Sequence, residues 1–177
     1  MAAQNLRRFS DMPEQTTLKR ARAAKRAGRA PSTQAGEFVR EEIDHIREGK
    51  HGARSTKQAI AIGLSKARKA GVKLPVPKKG TTSERTRRAA KRALSEGRHP
   101  HKTSSSRGRA TLKALKREGH SAASKKALAR QARTSARKRS ASSRSALARQ
   151  AARTKGPALR RSAARKAAAT RRRRSEA

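Results

Sequence analysis

Cysteine, tryptophan and tyrosine are absent from this 177-residue chain, and its only aromatic residues are Phe9 and Phe38. Without cysteine there is no disulfide framework, no thiolate metal site and no cysteine nucleophile. Without aromatic platforms, recognition of single strands by base stacking has little to work with. Acidic residues are also scarce: 11, against 50 lysines and arginines, leaving a formal charge of +39. No stretch approaches the ~20 apolar residues of a membrane span, and the opening MAAQNLRRFS has no apolar leader run, so the expected location is cytoplasmic, in the nucleoid.

Large aliphatic side chains are few as well. Leu, Ile, Val and Phe together number 19, a proportion at which highly charged chains tend to lack a core. Alanine supplies most of the nominal hydrophobicity and buries too little surface to offset backbone ordering. A self-repelling polycation of this kind calls for a polyanionic partner.

What apolar material there is gathers between Glu37 and Pro77. That stretch holds all four isoleucines, all three valines, Phe38 and five of the eleven acidic residues. Phe38, Val39, Ile43 and Ile46 recur at helical spacing, predicting a first helix over about 37–48, stopped at Gly49. Ser55 stands three residues before Gln58, the spacing of a capping box. A second helix is expected over about 56–70, with Gly71 as a left-handed cap, Val72 closing over Ala67, and Pro75 forbidding continuation. Ile60, Leu64 and Ala67 share one face, with Ile62 nearly opposite Leu64.

The run RSTKQAIAIGLSKARKAG, preceded by EGK and a short acidic helix, resembles a signature of small, basic, uncharacterised bacterial proteins, S-R-K-Q-A-I-A-I-A-L-S-E-A-R-K-A-G. Here Thr56 replaces a basic residue, Gly63 an alanine and Lys66 a glutamate. The resemblance covers about a quarter of the chain; it implies a bacterial source and carries no catalytic or binding residues across.

The predicted class is therefore mainly α: a two-helix module flanked by helix-prone basic segments that are largely disordered when free. Four regions follow. Residues 1–33 form a basic arm, with a helix opening near Asp11 and Pro13 and PSTQAG as the link; 34–79 form the module; 80–120 carry two short basic helices, the first capped by Thr81 with Glu84; 121–177 form a low-complexity tail. In the tail ALARQA occurs at Ala127–Ala132 and again at Ala146–Ala151, and the ending resembles the Ala- and basic-rich tails of bacterial proteins similar to linker histone H1. Like charges at helical spacing oppose helix in the free tail by ~0.2–0.5 kcal/mol per pair, and phosphates would relieve them.

The expected function is nonenzymatic binding of double-stranded DNA through phosphates, largely without sequence preference and with a capacity to compact it, as in histone-like nucleoid-associated proteins. The contacts are assigned to Arg20, Arg22, Lys25 and Arg26 in the arm, Arg54 and Lys57 at the second module helix, and Arg87, Arg88, Lys91 and Arg92 in the first helix after it. In the tail they fall to Lys125, Lys126, Arg130, Arg137, Lys138, Arg139 and the run Arg171, Arg172, Arg173, Arg174. DNA is favoured over RNA. The alternatives are an RNA- or ribosome-associated protein and a protein adaptor using the hairpin. A unit of ~40 residues seldom folds without help, so a homodimer through Ile60, Ile62 and Leu64 is expected.

Two sharper readings concern the module. Arg54, Ser55, Thr56 and Lys57 at a helix N-terminus are reminiscent of a helix-turn-helix, though a third helix is missing from the motif. The acidic residues of the first helix, Glu41 and Glu42 among them, present a patch able to shield the basic arms. No cofactor, membrane or small-molecule substrate is expected, and no catalytic or metal set is assigned: the five histidines are scattered, and His99 and His101 offer two ligands where three or four are needed.

Overall fold

The computed structural model describes residues 13–98 and 104–176. Phe9, Asp11, His99 and His101 lie outside them. The described residues form helices, with no strand: α1 (Gln15–Arg26), α2 (Pro31–Arg47), α3 (Thr56–Lys69), α4 (Glu84–Arg98), α5 (Ser105–Lys116), a 3-10 turn at Ser121–Ala123, α6 (Lys125–Arg137) and α7 (Ala141–Ser175). The chain divides into two compact units, at Gln131.

In the first unit α3 is the central element. It packs on α2 and α4, α2 packs on α1, and the 3-10 turn closes against both α2 and α3. The sequence signals at the ends of α3 are realised. The Gln58 amide donates to Ser55 Oγ at 3.2 Å, and Gln58 Oε1 accepts from the Arg54 amide at 2.9 Å, one residue before the cap. At the other end Gly71 takes φ +85°, the Val72 amide donates to Ala67 O, and Val72 packs with Ala67 in the core.

Other boundaries differ from expectation. α2 starts six residues early, at Pro31, because proline at a helix N1 has no amide to lose and a suitable φ; PSTQAG is its first turns instead of a link. α4 is capped by Ser83, whose hydroxyl accepts from the Thr86 amide, while the Thr81 hydroxyl donates to Lys78 O. α4 also continues through Gly97 to Arg98.

The core is larger than the two-helix module because alanine faces complete it. One cluster joins Ala21 of α1 to Ala35, Phe38, Ala67 and Val72, with Leu18, Leu64 and Leu74 against it. The other joins Ile43 and Ile46 to Ala53, Ala59, Ala122 and Ala123, with Val39 and Leu128 alongside. Ala90 and Ala93 of α4 are buried too. Each alanine buries little area, but it lets backbones approach and place larger neighbours in contact.

The inward side of α3 is accordingly its small-residue side: Ala59, Gly63 and Ala67, one turn apart, are buried. A Cβ at Gly63 would come within 2.7 Å of Val39 Cα, so α2 and α3 touch backbone to backbone. Ile60, Ile62 and Leu64 are half-buried, and Leu64 packs against the cluster of Ala21, Ala35, Phe38, Ala67 and Val72.

The 3-10 turn is tied down by polar contacts. Thr56 Oγ1 donates to Ala122 O at 2.7 Å, Arg47 Nε to Ala123 O at 3.0 Å, and the Ala53 amide to Gly119 O. The Gly52 amide donates to Leu115 O at 2.9 Å, and a side chain at Gly52 would run into the Glu118 carbonyl.

The second unit consists of the end of α6 and α7. No residue of α7 is buried, and it is interrupted at Gly156, φ +69° and ψ 170°, directly before Pro157. The two ALARQA copies lie within α6 and α7 respectively.

Candidate functional site

The predicted cationic contacts lie on the outside of their helices. Arg20, Arg22, Lys25 and Arg26 on α1 are exposed, as are Arg54 and Lys57 at the start of α3. On α4, Ala90 and Ala93 turn inward, which carries Arg88, Lys91 and Arg92 outward. Arg87 is the exception. It is half-buried, its Nη1 3.4 Å from Glu84 Oε2. Lys125, Lys126, Arg130, Arg137, Lys138 and Arg139 are exposed, as are Arg171 to Arg174.

These residues are brought together as helix-surface stripes, not as a pocket. Within α1, Arg22, Lys25 and Arg26 share one side by the i, i+3, i+4 rule, and within α4 Arg88, Lys91 and Arg92 do the same. α3 itself exposes only Lys57 and Ala61.

The acidic side chains are engaged elsewhere. Glu37 lies by Arg40, Asp44 by Arg47, Glu48 by Lys50, and Glu96 by Lys69. Glu41 and Glu42 are buried, so they do not form the surface patch expected to shield the arms. Between Glu118 and Glu176 the chain has 19 lysines and arginines and no acidic residue. Positive charge there is not offset by any acid of the same stretch.

The second feature is a buried polar centre between α2 and α3. Glu42, fully buried, puts Oε2 2.8 Å from Lys66 Nζ and Oε1 3.4 Å from His51 Nε2. His51 is held by a hydrogen bond between Nδ1 and Gly52 O at 3.1 Å. One turn along α2, His45 Nε2 lies 2.9 Å from Glu14 Oε1 and 4.0 Å from Glu41 Oε1. The Glu14 amide donates to Glu41 Oε1 at 3.2 Å, fastening the start of α1 to α2.

The hydrogen bond from His45 holds the Glu14 carboxyl below its usual range, with Lys50 reinforcing it and desolvation opposing. Lys50 is pushed up, chiefly by its hydrogen bond to Glu48. Burial pushes Arg68 down; its Nη2 donates to Pro75 O at 3.2 Å. Beside the centre, Glu14, Thr17, Arg20, Asp44 and Glu48 edge a small cleft of about 100 Å³.

Sequence reading misses this centre. Its available signal is the i, i+3 pair Glu42 and His45, with His51 in the next loop. The signature residue replaced by Lys66 is part of it: the substituted lysine faces Glu42.

Residues 18–80 match the model of a family of unknown function (DUF6496). The matched span runs from Leu18 in α1 through α2 and α3 to the extended segment after α3, so it contains both sides of the α2–α3 contact and all of the buried centre except Glu14. Comparison with curated proteins and with solved structures gives no match. No helix among the described residues is long and apolar enough to cross a membrane.

Proposed function

We propose that this protein is a nonenzymatic, histone-H1-like binder of double-stranded DNA, in which a folded helical body carries cationic segments that neutralise phosphates. The observation that carries this reading is the charge segregation. Glu37, Asp44, Glu48, Glu84 and Glu96 each lie by a lysine or arginine of the first unit, whereas the stretch after Glu118 holds 19 cations and no acid before Glu176. A helix such as α7, with no buried residue, gains nothing from a core and much from a partner that relieves its like charges. Phosphate contacts of this kind position a protein without reading bases, so little sequence preference is expected.

Bacterial nucleoid association and compaction belong to the same proposal. RNA is the competing polyanion, because charge alone does not separate the two. The test is a salt-titrated affinity comparison of the full chain on matched duplex DNA and structured RNA. Contact with about 8 phosphates predicts a fall in affinity of about 10³ to 10⁵ between 50 and 200 mM salt. Duplex preference with that steepness supports the reading; equal or tighter binding to RNA moves the assignment to an RNA-associated protein.

A further inference from the structure

The buried centre is out of balance in charge. Glu41 and Glu42 side chains are 3% and 1% exposed, and among the described residues Lys66 is the one buried lysine beside them. Glu42 Oε1 and Glu41 Oε2 lack any hydrogen-bond partner. Burying carboxylate oxygens without donors is costly, so the site calls for one more cation.

The two histidines are arranged to hold one. Gly52 O only accepts, so in the neutral imidazole of His51 the proton sits on Nδ1 and the lone pair on Nε2, the atom 3.4 Å from Glu42 Oε1. Ionised Glu14 also only accepts, so in the neutral imidazole of His45 the proton sits on Nε2 and the lone pair on Nδ1. A histidine whose second nitrogen donates to a carboxylate or a backbone carbonyl is the usual arrangement around a bound metal. One ligating atom from each of Glu42, His45 and His51 lies within 4.8 Å of the others, and all three residues are buried.

We infer that Glu42, His45 and His51 form a binding site for a divalent metal ion of the zinc class. Two imidazoles and one carboxylate suit zinc or cobalt; calcium and magnesium prefer all-oxygen sets. Zinc bonds of about 2.0 to 2.1 Å draw ligating atoms to roughly 3.4 Å apart, so the side chains close by about 1 Å on binding. Glu42 Oε1 is the oxygen available, since Oε2 faces Lys66. With three protein ligands, the fourth position of a tetrahedral ion falls to water. Glu14 and Gly52 hold the imidazoles, and Lys66 tempers affinity by like-charge repulsion. Because the ligands come from α2 and from the loop after it, the ion would fix that loop, whose Gly52 amide donates to Leu115 O, against α2.

The experiment uses the full chain with Zn²⁺ and Co²⁺ as probes, reading one-to-one stoichiometry by calorimetry and the visible absorption of tetrahedral cobalt. The triple variant H99Q/H101Q/H120Q retains only His45 and His51 among the five histidines. It is expected to keep one equivalent of zinc and the cobalt band. His51→Gln is expected to lose both, and Lys66→Gln to bind about tenfold more tightly by removing the competing ammonium. No one-to-one binding by the wild-type chain overturns the proposal, as does loss of binding in the triple variant, which would place the ion on His99, His101 or His120. Neither result bears on DNA affinity, so this inference and the proposed function fail separately.

Discussion

Lys66 of α3 and Glu42 of α2 face each other across the core, Nζ to Oε2 at 2.8 Å, with side chains only 5% and 1% exposed. The pair lies at the position where the similar signature has a glutamate. A glutamate at 66 would confront Glu42 with a second buried carboxylate, so the residue at 66 and the charge of the α2 face must be chosen together.

Lys66→Glu should therefore destabilise the body by about 3 to 5 kcal/mol, the usual cost of breaking a buried pair. The double replacement Glu42→Leu with Lys66→Leu should come much closer to neutral, because it removes both desolvation costs. Urea unfolding followed by circular dichroism checks both; equal losses in the two variants would mean that the pair is not the source.

Gly63→Ala restores another signature residue and should also destabilise. Helix propensity favours alanine by about 1 kcal/mol, but the added methyl meets the Val39 backbone at 2.7 Å, and forced separation of packed helices costs about 1 to 3 kcal/mol. A net loss of up to about 2 kcal/mol is the expected unfolding result. A gain in stability would mean that α2 and α3 lie further apart.

Thr56→Val removes the donor to Ala122 O while keeping the shape of the side chain. The buried carbonyl left behind should cost about 1 to 3 kcal/mol. Hydrogen exchange should locate the effect: protection should fall at residues 119–124 and at Ala53. A uniform fall across α1 and α2 would contradict a local docking role.

Replacing Arg171, Arg172, Arg173 and Arg174 together by alanine should reduce the salt slope of duplex binding by about 3 to 4, since each phosphate left unneutralised lowers it by about 0.9. Stability of the first unit should not change, since α7 buries nothing. An unchanged slope would remove this run from the interface.

Local signals in the sequence were legible wherever one residue type has one job. Ser55 with Gln58, and Gly71 with Val72, marked the ends of α3 because capping chemistry depends on near neighbours. Pro31 carried a start signal too, but its polar neighbours Ser32, Thr33 and Gln34 resemble a linker. The inward faces of α1 and α4 were hidden because Ala21, Ala90 and Ala93 are chemically indistinguishable from the exposed alanines around them. The buried centre was hidden for a related reason. Glu41, Glu42 and His45 read as a solvated stripe until they are seen to be buried.

The hydrogen bond from Thr56 to Ala122 spans 66 residues of chain, and this sets an order of assembly. During synthesis, α2 and α3 can pair as soon as both have emerged, but Ala53 and Ala59 stay uncovered until Ala122, Ala123 and Leu128 arrive. The body is sealed late, by a segment that follows α4 and α5. Once that seal is in place, most of the longest acid-free stretch still follows, so the newborn chain can close its apolar core before the last 17 of its 50 lysines and arginines leave the ribosome.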